Sequence, residues 1–298
     1  MGVPSPTMSD TGAIEQLIVE LRPKLHRYCA RMTGSVVDGE DVVQEVLMNA
    51  IEALPRVGNL ANPEAWLFRI AHNASLDFLR RRARQDARLS SEDPDMLTDS
   101  ASEADRAVAA AASLRTFMRL PVAQRSSVIL MDVLGYSLQE ITGITEASLP
   151  AVKAALHRGR ERLREFSHEP DDRPPPGLTE PERLLLAAYI ERFNARDFDG
   201  VRDLLAEEVR LDLVGRVRWS GKPKVSNYLS NYSSRHDWHF TLGFVERRPA
   251  IVASAAADAG GESRYFILLD WVGGKVMAIR DFRYARYAVE GAELRVVG

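Results

Sequence analysis

A chain of 298 residues with 45% hydrophobic content can bury sizeable cores, and its length predicts two or three domains rather than one. Its one cysteine, Cys29, excludes an internal disulfide and a cysteine-based metal framework, which fits a reducing cytosol. No apolar run approaches the roughly 18–20 residues that span a bilayer. The formal net charge of −3 speaks against a protein that coats nucleic acid by bulk charge, so any such role falls to local clusters.

The start, MGVPSPTMSDTG, lacks a basic leader followed by an apolar stretch and carries Pro6 where a myristoylation signal needs Ser or Thr, so it reads as a disordered tail. Two polar stretches then divide the chain. SSEDPDMLTDSASEAD (Ser90 to Asp105) is acidic and Ser-rich, and HEPDDRPPPGLTEP (His168 to Pro181) is a Pro-rich spacer. Two blocks with helical periodicity precede a block that mixes helices with alternating strands.

In the first block, DGEDVVQEVLMNAIEAL opens with Asp38 as a candidate N-cap. Val42, Val43, Val46, Leu47, Ala50, Ile51 and Leu54 form one apolar stripe assigned to the core. The opposite face shows Asp41, Gln44, Glu45, Met48 and Glu52. Those residues alone favour a solvated face; a docking surface for a basic partner is the other reading. After the turn LPRVGNLANP comes RIAHNASLDFLRRRARQDAR. Helical projection puts Leu67, Ile70, Ala71, Ala74 and Phe78 on one side and Arg69, Asn73, Arg80 and Arg84 on the other. Asp77 is the one acid among these cations, so an anionic partner is favoured over a solvated face. A membrane surface is disfavoured, because the apolar side has core spacing and a matching helix before it. Arginine's planar fork suits phosphate, and Asn73 is placed to read a base edge.

In the second block, VAQRSSVILMDVL stops at Gly135. Ser137 and Glu140 form a capping box for a very short helix, and the last helix starts near Ser148 with Pro150 in its first turn. Val152, Ala155, Leu156, Gly159, Leu163 and Phe166 make its inner stripe; Lys153, His157, Arg160 and Arg164, with Arg158 beside them, make the outer face. This is the pattern of a helix-turn-helix, with a basic helical hairpin as the plainer reading.

Taken together, DVVQEVLMNA, PEAWLFRIAHNASLDFLRRRAR and LPVAQRSSVILMDVLGYSLQEI…VKAALHRGRERLRE resemble, in order and spacing over about residues 13–166, the extracytoplasmic-function RNA polymerase sigma factors of the sigma-70 family. The resemblance implies that Asp41, Gln44, Glu45 and Met48 bind the polymerase clamp. It implies that the loop Pro55–Pro63, including Asn59, together with Asn73, recognises and holds a flipped base of the minus-ten element. Trp66, Arg69, Arg80, Arg81 and Arg84 would hold the opened strand, and Lys153, His157, Arg158 and Arg160 would lie at the minus-thirty-five element. The chain departs from the family at Thr145 and Glu146, where a small hydrophobic–glycine pair is usual, and at Ala154, where Ser is common.

In the third block, PERLLLAAYIERFNARDFDGVRDLLAEEVRLDLV predicts two helices and a strand, and GKPKVSNYLSNY predicts a third helix. Strands follow in HDWHFTLGFVE, SRYFILLDWV and KVMAIRDFRYARY, with Gly273-Gly274 as a hairpin turn. This order resembles the SnoaL-like or NTF2-like cone, which implies a domain that tunes polymerase activity. Asp212, His236, Asp270 and Tyr284 are the residue types a catalytic pocket would use, but nothing pairs a base with its partner. His236 and His239 point to opposite faces of a strand, so no metal site is expected. Trp219, Trp238 and Trp271 read as core.

The expected architecture is therefore multidomain. Region 2 is assigned to 13–88, an acidic linker to 89–105, a region 4 helix-turn-helix to 106–167, a Pro-rich linker to 168–181, and an α+β NTF2-like regulatory domain to 182–298. The expected function is a cytoplasmic promoter-specificity subunit acting with core RNA polymerase and promoter DNA, with no catalytic residue, metal, cofactor or membrane association. A small-molecule ligand of the last domain stays open. The alternatives are a helix-turn-helix regulator without polymerase docking, and an enzyme or ligand-binding protein using the C-terminal pocket.

Overall fold

The computed structural model describes residues 8–57, 60–86, 103–166, 177–233, 238–255 and 264–297. The chain divides into two compact units, Met1–Asp171 and Asp172–Gly298, each with its own hydrophobic core.

The first unit is helical. Helix α1 (Met8–Thr33) begins ahead of residue 13, inside the stretch expected to be a tail. Gly34, at φ +79°, ends it, and a side chain there would be strained. Helix α2 (Val36–Val57) starts before Asp38: the Ser35 hydroxyl accepts the Asp38 N–H at 3.2 Å, so Ser35 is the cap and Asp38 lies in the first turn. Helices α1 and α2 cross closely at Gly39, where a Cβ would lie 2.6 Å from the Ala30 backbone. Helix α3 (Pro63–Asp86) is capped by Asn62, whose Oδ1 accepts the Ala65 N–H at 2.9 Å.

Helix α4 (Glu103–Ala111) takes up the end of the expected acidic linker, whose residues 90–102 lie outside the described residues. Asp105 is buried there and pairs with Arg164 at 2.7 Å. Then come α5 (Leu114–Met118), α6 (Val122–Val128), a π-helical turn over Ile129–Val133, α7 (Leu138–Thr145) and α8 (Leu149–Phe166). The expected capping box is present on α7: the Ser137 Oγ accepts the Glu140 N–H at 3.3 Å and Glu140 Oε2 accepts the Ser137 N–H at 2.8 Å. Gly159 lets α8 lie against α6, since a Cβ there would meet Val128 Cγ2 at 2.7 Å. Residues from α1, α2, α3 and from α5 to α8 share one core.

The second unit has helices first and a sheet after them, the order expected from the sequence. Helix α9 (Glu180–Asn194) is capped by Thr179, so residues 180 and 181 belong to it and not to the spacer. Helix α10 (Phe198–Leu204) leads into β1 (Leu205–Leu213) and β2 (Val217–Ser220), followed by α11 (Lys222–Ser233). Strands β3 (Trp238–Val245), β4 (Arg248–Ala255), β5 (Arg264–Val272) and β6 (Lys275–Asp281) precede α12 (Arg286–Val289) and β7 (Leu294–Val296). Among the described residues the sheet runs β2-β1-β6-β5-β4-β3-β7, antiparallel except for β1 with β6. Gly273 and Gly274, both at positive φ, make the expected hairpin turn between β5 and β6.

Candidate nucleic-acid interface

Helix α3 carries the separation seen in projection. Leu67, Ala71 and Ala74 are buried, and Ile70 and Phe78 pack partly against the same core. Arg69, Asn73, Arg80 and Arg84 are all exposed. The cations are held loosely: Arg80 reaches Asp77 at 2.9 Å and Arg69 lies 3.7 Å from Glu146, both solvent-facing pairs. Behind this face, Tyr28 Oη and His72 Nδ1 share a hydrogen bond of 2.8 Å, and burial lowers the His72 pKa to about 4. The imidazole is thus neutral, and its bond to Tyr28 locks α3 to α1.

Trp66 is a correction. It is 8% exposed, because its side chain faces the shared core, so it has no surface on which to stack a base. Asn59 lies outside the described residues. Residues 55–57 belong to α2 and not to the loop in which Pro55 was expected.

On α2, Val42, Val43, Val46 and Ala50 are buried as expected, but Ile51 is 57% exposed. It stands one turn from Met48, which is 60% exposed, so the helix shows an apolar pair on the face that carries Asp41. Glu45 is half-buried and bound by Arg81 at 2.8 Å, which ties the two expected contact faces together. Gln44 donates to the buried Glu40, itself paired with Arg22. An exposed methionine–isoleucine pair beside carboxylates fits a partner that is basic at its edge and apolar at its centre.

On α8, Lys153, His157 and Arg158 are half-exposed, with His157 Nε2 3.4 Å from Glu161. Arg160 is the second correction. It is 5% exposed, and its Nε and Nη2 donate to both carboxylate oxygens of Asp132 at 2.8 and 2.7 Å. The helix turns this residue toward the π-helical segment, so it braces the module and does not face outward. Glu146, in the turn before α8, adopts φ +57°, the left-handed conformation that a glycine takes at no steric cost.

A model of sigma-70 region 2 matches residues 17–85, and one of sigma-70 region 4 matches residues 114–163. The ECF RNA polymerase sigma factor SigM of Mycobacterium tuberculosis is 32% identical over 155 residues, covering 52% of this chain and 76% of SigM. This chain belongs to the ECF RNA polymerase sigma factors. The sigma factor SigG of the same organism is 29% identical over 223 residues, which is 66% of this chain and 60% of SigG, so this sigma factor spans less than two thirds of that relative. Among solved structures, M. tuberculosis SigJ is similar at 20% identity and a TM-score of 0.34, over 89% of this chain and 95% of SigJ.

In the second unit of this sigma factor, no contact joins the residue types first considered for a catalytic pocket among the described residues. Asp212 pairs with Arg218 at 3.2 Å, Asp270 is exposed, and His236 lies outside the described residues. Trp219, Trp238 and Trp271 are only partly buried. Sequence reasoning missed a different cluster. Asp281 is 1% exposed at the end of β6, where it accepts from Tyr228 Oη at 2.6 Å and from the Arg283 backbone N–H at 2.8 Å. Tyr232 Oη lies 2.7 Å from Tyr228 Oη and accepts from Arg283 Nη1 at 3.3 Å. Burial raises the Asp281 carboxyl above the usual range, against the opposing pull of these donors. The tyrosines sit one helical turn apart on α11, a spacing indistinguishable in sequence from an ordinary core stripe.

Proposed function

We propose that this sigma factor directs core RNA polymerase to promoters, in the cytoplasm, through three surfaces. Helix α2 docks on the polymerase, α3 opens and holds the minus-ten element, and α8 meets the minus-thirty-five element. One observation carries the reading: Arg69, Asn73, Arg80 and Arg84 share the exposed face of a helix whose other side is packed. A base drawn out of the stack costs a few kcal/mol, and cations along the displaced strand offset that cost through phosphate contacts.

The docking face consists of Asp41, Glu45 and Met48, to which Ile51 is added. Lys153, His157 and Arg158 are retained on α8, without Arg160. The second unit modulates the activity of the first from within the same chain.

Run-off transcription from a candidate promoter, with purified core polymerase and the full chain, tests this. Initiation is expected with the chain and not without it. Asn73→Ala should lower product by about tenfold, the scale of one lost base-edge contact. Absence of initiation at every promoter tried would remove the reading's support.

A further inference from the structure

The second unit contains a cavity of about 420 Å³ whose wall includes Trp238, Tyr265, Arg283, Tyr284 and Arg286. That volume falls in the range of small-molecule sites. Tyr265 is 3% exposed; its Oη stands near the Tyr232 hydroxyl without meeting hydrogen-bond geometry, and Trp238 Nε1 has no hydrogen-bond partner among the described residues. The two rings meet edge to face at 5.0 Å, so the two unpartnered groups belong to one corner of the cavity. Burial pushes the Tyr265 phenol well above its ordinary pKa, which keeps it protonated. Both orphans are therefore donors, and a buried donor calls for an acceptor.

The charges point the same way. Arg283 spends one side-chain hydrogen bond on Tyr232 and lies 4.9 Å from the Trp238 ring centroid. Arg264 and Arg286 also line the wall, against one carboxylate among the described lining residues, Glu290. Asp281 is occupied by Tyr228 and the Arg283 backbone, and so does not serve as the missing acceptor. Three guanidinium groups and two unmatched donors between aromatic walls select a flat, negatively charged guest.

We propose that this cavity binds a small aromatic anion, a carboxylate or phenolate whose oxygen accepts from Tyr265 and Trp238 and whose charge faces Arg283 and Arg286. The site is independent of α3 and α8. Its test needs neither polymerase nor promoter, so the failure of one reading leaves the other standing.

Calorimetric titration of the full chain with benzoate, salicylate and 2-naphthoate is the experiment. At least one probe should bind saturably with one-to-one stoichiometry. The uncharged 2-naphthamide should bind at least about tenfold more weakly, the scale of a charge-assisted hydrogen bond. Tyr265→Phe and Arg283→Met should each weaken the bound probe by about tenfold. Should either variant lose its fold by circular dichroism, Arg286→Ala at the exposed edge of the wall carries the test and should weaken binding several-fold. The proposal is overturned if none of the three anions saturates at millimolar concentration, if the amide binds as tightly as the acid, or if the folded variants bind like the parent chain.

Discussion

Two imidazoles sit inside the first unit, and both are neutral for the same reason. His26 Nε2 donates to the Val36 carbonyl at 2.9 Å while burial lowers its pKa to about 4; His72 is lowered to about 4 by burial as well. The unfolded chain titrates these groups near 6.5. Between about pH 4 and 6.5 the unfolded state therefore binds more protons, so their stabilisation is complete above 6.5, falls as pH drops through that window, and levels off near 4. The loss is on the order of 3 kcal/mol for each imidazole. Melting temperature against pH should show this slope, and His72→Gln should make it shallower; an unchanged slope would contradict the assignment.

Glu146 supplies a second prediction at this scale. Glu146→Gly should stabilise the first unit by up to about 1 kcal/mol in denaturant titration, because relief of the left-handed backbone, about 1–2 kcal/mol, outweighs the added unfolded-state entropy of glycine, about 0.5–1 kcal/mol. The sequence made this position visible, since a turn without its usual glycine still has to turn. Trp66 and Arg160 were not legible in the same way. Trp66 was assigned to the DNA face by resemblance although its residue type is often core, and Arg160 has a surface residue type that only the packing of neighbouring helices locks onto Asp132.

At the scale of the element, the buried pair Arg160–Asp132 joins α8 to the π-helical turn. Arg160→Ala leaves Asp132 buried and uncompensated, and should cost about 3–5 kcal/mol of stability. Thermal melting would register the loss whatever promoter is used, whereas a residue that touched DNA would act on binding with little change in melting. On α2 the expectation is the reverse. Met48→Ser with Ile51→Ser should leave the melt within about 0.5 kcal/mol, since both side chains are exposed, while weakening polymerase binding several-fold in a pull-down titration. Periodicity located the α2 stripe but not its width: Ile51 falls at the stripe's edge, beyond the arc that α1 and α3 cover. In the sheet, β4 escaped notice because its turn from β3 is made by Glu246 and Arg247, both at positive φ, where sequence reading looks for Gly or Asn.

At the scale of the molecule, the two helical modules are packed together within the first unit. Arg125 ties them, donating to the Met32 carbonyl on α1 at 2.6 Å and to the Phe117, Met118 and Leu120 carbonyls near its own helix. Glu64 on α3 accepts from both Lys24 and Tyr136, at 2.6 and 2.5 Å, and Phe68 packs on Tyr136 at 5.1 Å. If the two modules grip separate promoter elements, as proposed, they have to part at this contact. Spin labels at Asp77 and Glu161, both exposed, should report a longer distance once core polymerase is added; an unchanged distance would mean that the modules act as one body. Neither the contact nor its keystone was legible in the sequence, because Arg125 sits in a pattern that reads as an ordinary helix and the carbonyl that joins it to α1, that of Met32, lies 93 residues away.

The central claim is that the exposed face of α3 opens promoter DNA, and permanganate reactivity of minus-ten thymines tests it most directly. With core polymerase and the full chain, those thymines should become reactive. Asn73→Ala combined with Arg69→Ala should suppress the reactivity by at least about tenfold while polymerase binding is retained, because unstacking then lacks its compensating contacts. Undiminished reactivity in that variant, or equal reactivity with core polymerase alone, would contradict the account.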